Sequence, residues 1–165
     1  MDQSSPFEDQ LASLLPQLRR FAHALSRDAA DADDLTQATI ERALRSKAQW
    51  QAGTRLDSWA YRIMRNLWID TARARTRKNA REAPEEEGLS VGEDPREAID
   101  AAVDLKRVMA AMEQLPDEQR EVVALILVEG FGYREVSDML GLPMGTVSSR
   151  LVRGRTALLA MVGER

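Results

Sequence analysis

The side chains best suited to chemistry in this sequence recognise rather than react. Between Met144 and Thr156 hydroxyls and guanidiniums cluster (Thr146, Ser148, Ser149, Arg150, Arg153, Arg155), and no acid occurs between Asp138 and Glu164. An ordinary solvated helix face mixes in Glu and Lys. A face that meets DNA excludes carboxylates, because each would lie beside a phosphate. At about 100° per residue, Met144, Val147, Leu151, Gly154 and Leu158 form one buried side of a helix. Gly145, Thr146, Ser149, Val152, Arg153 and Thr156 then point the other way, with Ser148, Arg150 and Arg155 on the flanks. Arg153 suits a guanine edge or a phosphate, Ser149 either of these, and Val152 a thymine methyl.

A second group is more strongly basic. Gly53 to Arg81 carries eight bases against Asp57 and Asp70. Within it Arg62, Arg65, Asn66, Ile69 and Arg73 gather on one side of a helix expected over Ser58 to about Lys78, while Trp59, Ala60, Ile63 and Leu67 form a core-facing stripe. Trp59 and Trp68 fall half a turn apart and cannot share a face. Trp59 reads as core; Trp68, aligned with Tyr61, Met64 and Arg65, suits either packing on the preceding helix or a place near DNA.

Covalent and metal chemistry drop out. The chain has no cysteine and one histidine, His23, which excludes a thiol nucleophile, a disulfide framework and a Cys-based zinc site. His23 sits among Arg20, Phe21 and Leu25 on an amphipathic helix, where it reads as structural or surface. No cofactor is implied, and an enzyme is the weakest of the classes considered. No run approaches the roughly 18 apolar residues that span a bilayer, and the N-terminus lacks an export pattern. A cytoplasmic protein without membrane insertion is expected.

The net charge of −4 hides an asymmetry. Glu82 to Asp104 holds nine carboxylates against Arg96, so the remainder is net positive. A basic block thus abuts an acidic one, the pattern of a chain in which one part meets phosphate and another is a solvated tether. EAPEEEGLSVGEDP has too little apolar content to fold alone.

The elements that carry these groups all read as helices. Aromatics are only 5% of the chain, and Ala, Leu, Arg and Glu dominate. The first periodic stretch runs from Phe7 to about Ser26, divided or kinked at Pro16. The next starts near Asp31 to Asp34, where carboxylates can cap free amides, and ends near Arg45. Residues 46–57 read as a loop. After the acidic stretch, LKRVMAAMEQL, a helix from Pro116 broken at Gly130 and Gly132, YREVSDML, and the helix from Met144 follow. The fold class expected is all-α, with two small helical domains, 1–81 and 105–165, joined by a flexible acidic linker, 82–104. The second domain ends in a helix-turn-helix with Gly141 at its turn, an arrangement shared by DNA readers and by plain helical hairpins.

Three blocks, DADDLTQATIERAL (31–44), DSWAYRIMRNLWIDTARAR (57–75) and LPDEQREVVALILVEGFGYREVSDMLGLPMGTVSSRLVRGR (115–155), together closely resemble the extracytoplasmic-function sigma factors of bacterial RNA polymerase. The resemblance implies that the first block docks on the largest-subunit coiled coil of core polymerase, through Asp34, Leu35, Gln37, Glu41 and Arg45. It implies that residues 46–57 and the following helix open promoter DNA at its downstream element, through Trp50, Arg62, Arg65, Asn66 and Arg73. Trp50 is the candidate wall of a pocket for an extruded base. It places Thr146, Ser148, Ser149, Arg150, Val152, Arg153 and Arg155 at the upstream element, and it implies an anti-sigma protein as a further partner.

A 23-residue tether reaches about 75–83 Å, more than two DNA turns at roughly 34–36 Å each. Both domains can therefore touch one promoter. By its charge the tether is also expected to repel free DNA and to occupy the basic channel of polymerase, an effect that neutralising Glu85, Glu86 and Glu87 would remove. The rival functions are a helix-turn-helix regulator, which leaves the basic N-terminal domain idle, and a sigma-like decoy for an anti-sigma protein, against which the intact basic face around Arg153 argues.

Overall fold

Prolines open the first two helices. In the computed structural model, which describes residues 6–79 and 101–163 and side chains of the latter from Leu105, α1 spans Pro6–Ser13 and α2 Leu15–Ser26. The tether proposed for 82–104, with Glu85, Glu86 and Glu87, lies outside these residues apart from the backbone of 101–104. Pro16 falls in the first turn of α2, where its missing N–H costs no helical bond, so the expected kink is a clean break at Leu14. Arg27 closes α2 with φ 62°, the only positive φ at a non-glycine among the described residues. That conformation costs an L-residue about 1 kcal/mol.

Helix α3, Ala29–Arg45, starts earlier than expected because Asp28, not the later carboxylates, is the cap. Its extended backbone lets Oδ1 accept from the N–H of Ala30 at 3.2 Å. This releases Asp31 to accept two hydrogen bonds from Arg75 of α4, at 2.6 and 2.7 Å. Thr36 and Thr39 are buried, with each hydroxyl bonded to a carbonyl one turn back at 2.7 Å. A 3-10 turn, Lys47–Gln49, interrupts the loop before α4, Leu56–Asn79.

The stripe expected to bury α4 is only part of its buried surface. Ala60 is fully buried, but Trp59, Ile63 and Leu67 are half-buried, and Leu56, Tyr61 and Met64 lie deeper. The physical reason is that α4 is covered from two sides: by α2 and α3, and by the second domain, which reaches Tyr61.

The second domain comprises α5 (Ala101–Glu113), α6 (Asp117–Val123), a π-helical turn (Ala124–Val128), α7 (Tyr133–Leu140) and α8 (Met144–Gly163). The π turn widens the expected single helix, with the N–H of Glu129 bonding the oxygen of Ala124 at 2.9 Å. The chain then turns through Gly130 at φ 77° and buries Phe131 against Phe21 of α2, 6.3 Å between ring centres. Gly141, at φ 66°, ends α7, and Ser137 fixes the turn by donating its hydroxyl to the oxygen of Leu142. Gly154 lets α8 close on α6; a Cβ there would stand 2.7 Å from Cγ2 of Val123.

The domains are therefore not simply tethered. α2 and α4 pack on α6 and α7, and buried residues of both halves belong to one apolar cluster. No helix among the described residues is long and apolar enough to cross a membrane.

Candidate nucleic-acid interface

On α8 the expected division of faces holds with two exceptions. Val147, Leu151 and Gly154 are buried and Leu158 half-buried; Ser148, Arg153 and Arg155 are exposed, as is Val152 at 60%, and Thr146 and Ser149 are half-buried. Met144 departs from the expected buried side. It is 48% exposed, because it begins the helix, one turn outside the part that α6 covers. Arg150 is the second exception. It points toward Glu118 of α6 at 3.6 Å and lines a cavity of about 690 Å³ between the domains, with Arg73 and Arg77 of α4.

The basic face of α4 is partly occupied, at Arg62 and Arg65. Arg62 donates from Nη2 to the main-chain oxygen of Asp138 at 2.8 Å. Arg65 donates from Nε to Oε1 of Glu121 at 2.6 Å, and the Tyr61 hydroxyl donates to the same oxygen at 2.5 Å. Glu121 is only 7% exposed. Burial, then the neighbouring Glu121 charge, holds the Tyr61 phenol well above its usual range, so tyrosine is the donor here. Arg73 is exposed, and Asn66 borders a smaller hollow of about 200 Å³ with Gln49 and Trp59.

Trp50 is not a wall of that hollow. Its ring packs on Phe7, 5.5 Å between centres, and its Nε1 is buried without a hydrogen-bond partner. An apolar neighbour from α1 outcompetes the role of an open pocket wall. Trp59 meets the same Phe7 edge-on. Trp68 is half-buried beneath the guanidinium of Arg75, which ties α4 to α3.

The α3 stripe is exposed at Asp34, Gln37, Glu41 and Arg45, with Arg45 and Glu41 4.0 Å apart. Leu35 does not belong to it. At 6% exposure it lies in the core with Thr39 and Ala43, turned away from the polar face and with little surface left to offer a docked partner.

Sequence reasoning missed the cross-domain set. Arg20 makes two bonds to Glu129, and Arg55 bonds Glu135 at 2.5 Å and lies over the Phe131 ring at 4.4 Å. Arg27 donates to the oxygen of Leu115 at 2.6 Å. Arg120, itself buried, donates to the oxygens of Ala24 and Leu25 at the end of α2. Burial lowers the pKa of Arg120 from its usual value, against the raising effect of Asp117. The signal available was the charged pair Arg120–Glu121 heading the apolar run VVALILV, since charges there must be paired when the run is buried.

Residues 11–78 match the family Sigma-70 region 2, and residues 105–158 match Sigma-70, region 4. The chain is 33% identical to the ECF RNA polymerase sigma factor EcfG of Rhodopseudomonas palustris, over 98% of this chain and 88% of that one. It is 40% identical to the ECF RNA polymerase sigma factor SigE of Mycolicibacterium smegmatis, over 84% of this chain and 54% of that longer protein. The fold matches the sigma factor RpoE solved in complex with the anti-sigma factor NepR from Bartonella quintana, with a TM-score of 0.81, 29% identity and coverage of 96% and 98% of the two chains. With region 2 on α1 to α4, region 4 on α5 to α8 and near-complete coverage of a relative, the chain belongs to the extracytoplasmic-function sigma factors, alternative sigma factors that bind core RNA polymerase and direct promoter-specific initiation.

Proposed function

We propose that the work is divided among three surfaces, within domains running 1–81 and 105–165 on either side of an acidic linker at 82–104. The exposed α3 stripe Asp34, Gln37, Glu41 and Arg45 docks on the largest-subunit coiled coil of core polymerase. The α4 face of Arg62, Arg65, Asn66 and Arg73 holds the strand displaced at the downstream element. Thr146, Ser148, Ser149, Val152, Arg153 and Arg155 of α8 read the upstream element, with Arg150 joining them once it leaves Glu118. The observation that carries this is the acid-free, exposed face of α8 on a chain that also exposes a separate, mixed-charge stripe on α3. A phosphate-facing surface and a protein-facing one are distinguishable by their charge alone.

The chain acts in the cytoplasm, catalyses no reaction itself, and serves a stress or envelope response. An anti-sigma protein restrains it. Support comes from the relative solved with such a partner, whose two-domain arrangement this chain reproduces over nearly its whole length. Transcription in vitro with purified core polymerase and a genomic promoter library tests the reading. Initiation at a discrete motif is expected; failure to initiate at any motif together with failure to bind core overturns it.

A further inference from the structure

Half of the α4 face assigned to DNA, Arg62 and Arg65, is taken up in the closed chain, and what holds it is informative. Two donors of α4, one turn apart, converge on a single carboxylate oxygen of Glu121, and the neighbouring Arg62 is taken by a carbonyl of α7. Every group they hold is an acceptor from the second domain. Charge-assisted bonds of this kind are the ones a phosphate oxygen also makes.

We propose that Tyr61 and Arg65, with Arg62 beside them, form an anion site on the first domain that takes a DNA phosphodiester once the domains part, and that Glu121 occupies it until then. The proposal rests on the strand-holding role of α4 and adds Tyr61 to it.

The chemistry favours exchange over simple release. When α6 withdraws, Arg65 and the phenol lose an ionic acceptor, and an incoming phosphate restores both bonds with the same sign of charge. Glu121 meanwhile moves from a nearly dry site to water, which solvates its carboxylate. Closed chain and bound strand are therefore mutually exclusive, and each weakens the other by the same factor. Tyr61 is suited to the exchange because its ring stays anchored edge-on against Phe21, 5.0 Å between centres, so only its hydroxyl changes partner.

The test titrates a labelled, mixed-sequence single-stranded oligonucleotide with the full chain. The absence of native cysteine allows dyes on Ala12→Cys and Ala160→Cys to report domain separation by energy transfer. Glu121→Ala is expected to lower transfer and tighten oligonucleotide binding about tenfold, because apparent affinity follows the open fraction. Adding Tyr61→Phe is expected to return about threefold of that gain. Asp33→Ala, which removes an equal charge from an exposed position, is expected to change neither signal. Where Glu121→Ala does not fold, Glu121→Gln, which removes only the charge, is expected to give a smaller shift in the same directions. Unchanged transfer overturns Glu121 as the occupant. Opening without tighter binding, or tightening matched by Asp33→Ala, overturns the anion site. If Arg73→Ala weakens binding in the opened chain while Tyr61→Phe does not, the strand-holding face stands and the anion site alone fails.

Discussion

Arg120 donates to the main-chain oxygen of Ala24, 96 residues earlier in the chain, so the last turn of α2 is closed by a cation from the other domain. The same guanidinium serves Leu25 and Leu115. Replacing it with Arg120→Met removes the cation from the oxygens of Ala24 and Leu25, while Arg27 still serves that of Leu115, and the expected loss is about 2–4 kcal/mol of folding stability. Urea titration followed by circular dichroism checks it, and the single transition should split as the domains uncouple. A loss within about 0.5 kcal/mol, the range of an ordinary surface change, would show that the contact holds nothing.

Gly154→Ala sets helix propensity against packing. Alanine favours the helix by about 1 kcal/mol, but its Cβ would stand 2.7 Å from Val123 and 3.3 Å from the Cβ of Gln119, an overpacking cost of about 1–3 kcal/mol. The midpoint of thermal unfolding should fall. A rise would mean that α6 and α8 can separate without penalty.

Arg153→Ala should weaken binding to duplex carrying the promoter's upstream element roughly tenfold, within the range of one good base or phosphate contact. Core polymerase binding should not change, since Arg153 lies exposed on α8, a different helix from the docking stripe. Equal losses in both assays would contradict the division into separate surfaces.

Asp31 is held below the usual carboxylate value of 3.8 by its hydrogen bonds from Arg75, which outweigh its burial. A depressed folded pKa stabilises the protein above the unfolded value, and that contribution fades as pH falls through the folded one. Asp31→Asn should therefore melt earlier than the parent at neutral pH, with the gap narrowing as pH falls below 3.8 and closing once it has passed the lowered folded value. Melting curves across this range decide it. A gap independent of pH would assign the effect to something other than the ion pair.

The helices and the faces of α8 were legible because each rests on local periodicity: Val147, Leu151 and Gly154 are spaced for one buried side wherever the helix lies. Met144 escaped because periodicity does not say where the covering helix stops. Leu35 was misplaced by carrying over a whole block when its own spacing of four from Thr39, and of four again to Ala43, put it inside. The seam was hidden for a different reason. Arg20 with Glu129, Arg62 with Asp138 and Arg65 with Glu121 pair residues far apart in sequence, and each cation alone looks like a solvated or DNA-facing charge. The π turn that brings Phe131 to Phe21 leaves only a Gly130 as its trace.

The seam is fastened mainly by guanidiniums on carboxylates and carbonyls, with Phe21, Tyr61 and Phe131 as its small apolar centre. Such surfaces hydrate readily when separated, whereas two greasy faces of similar extent would seek each other or any passing chain. Parting of the halves, which the proposed exchange at Tyr61 and Arg65 requires, therefore uncovers mainly groups that water solvates and little continuous apolar surface.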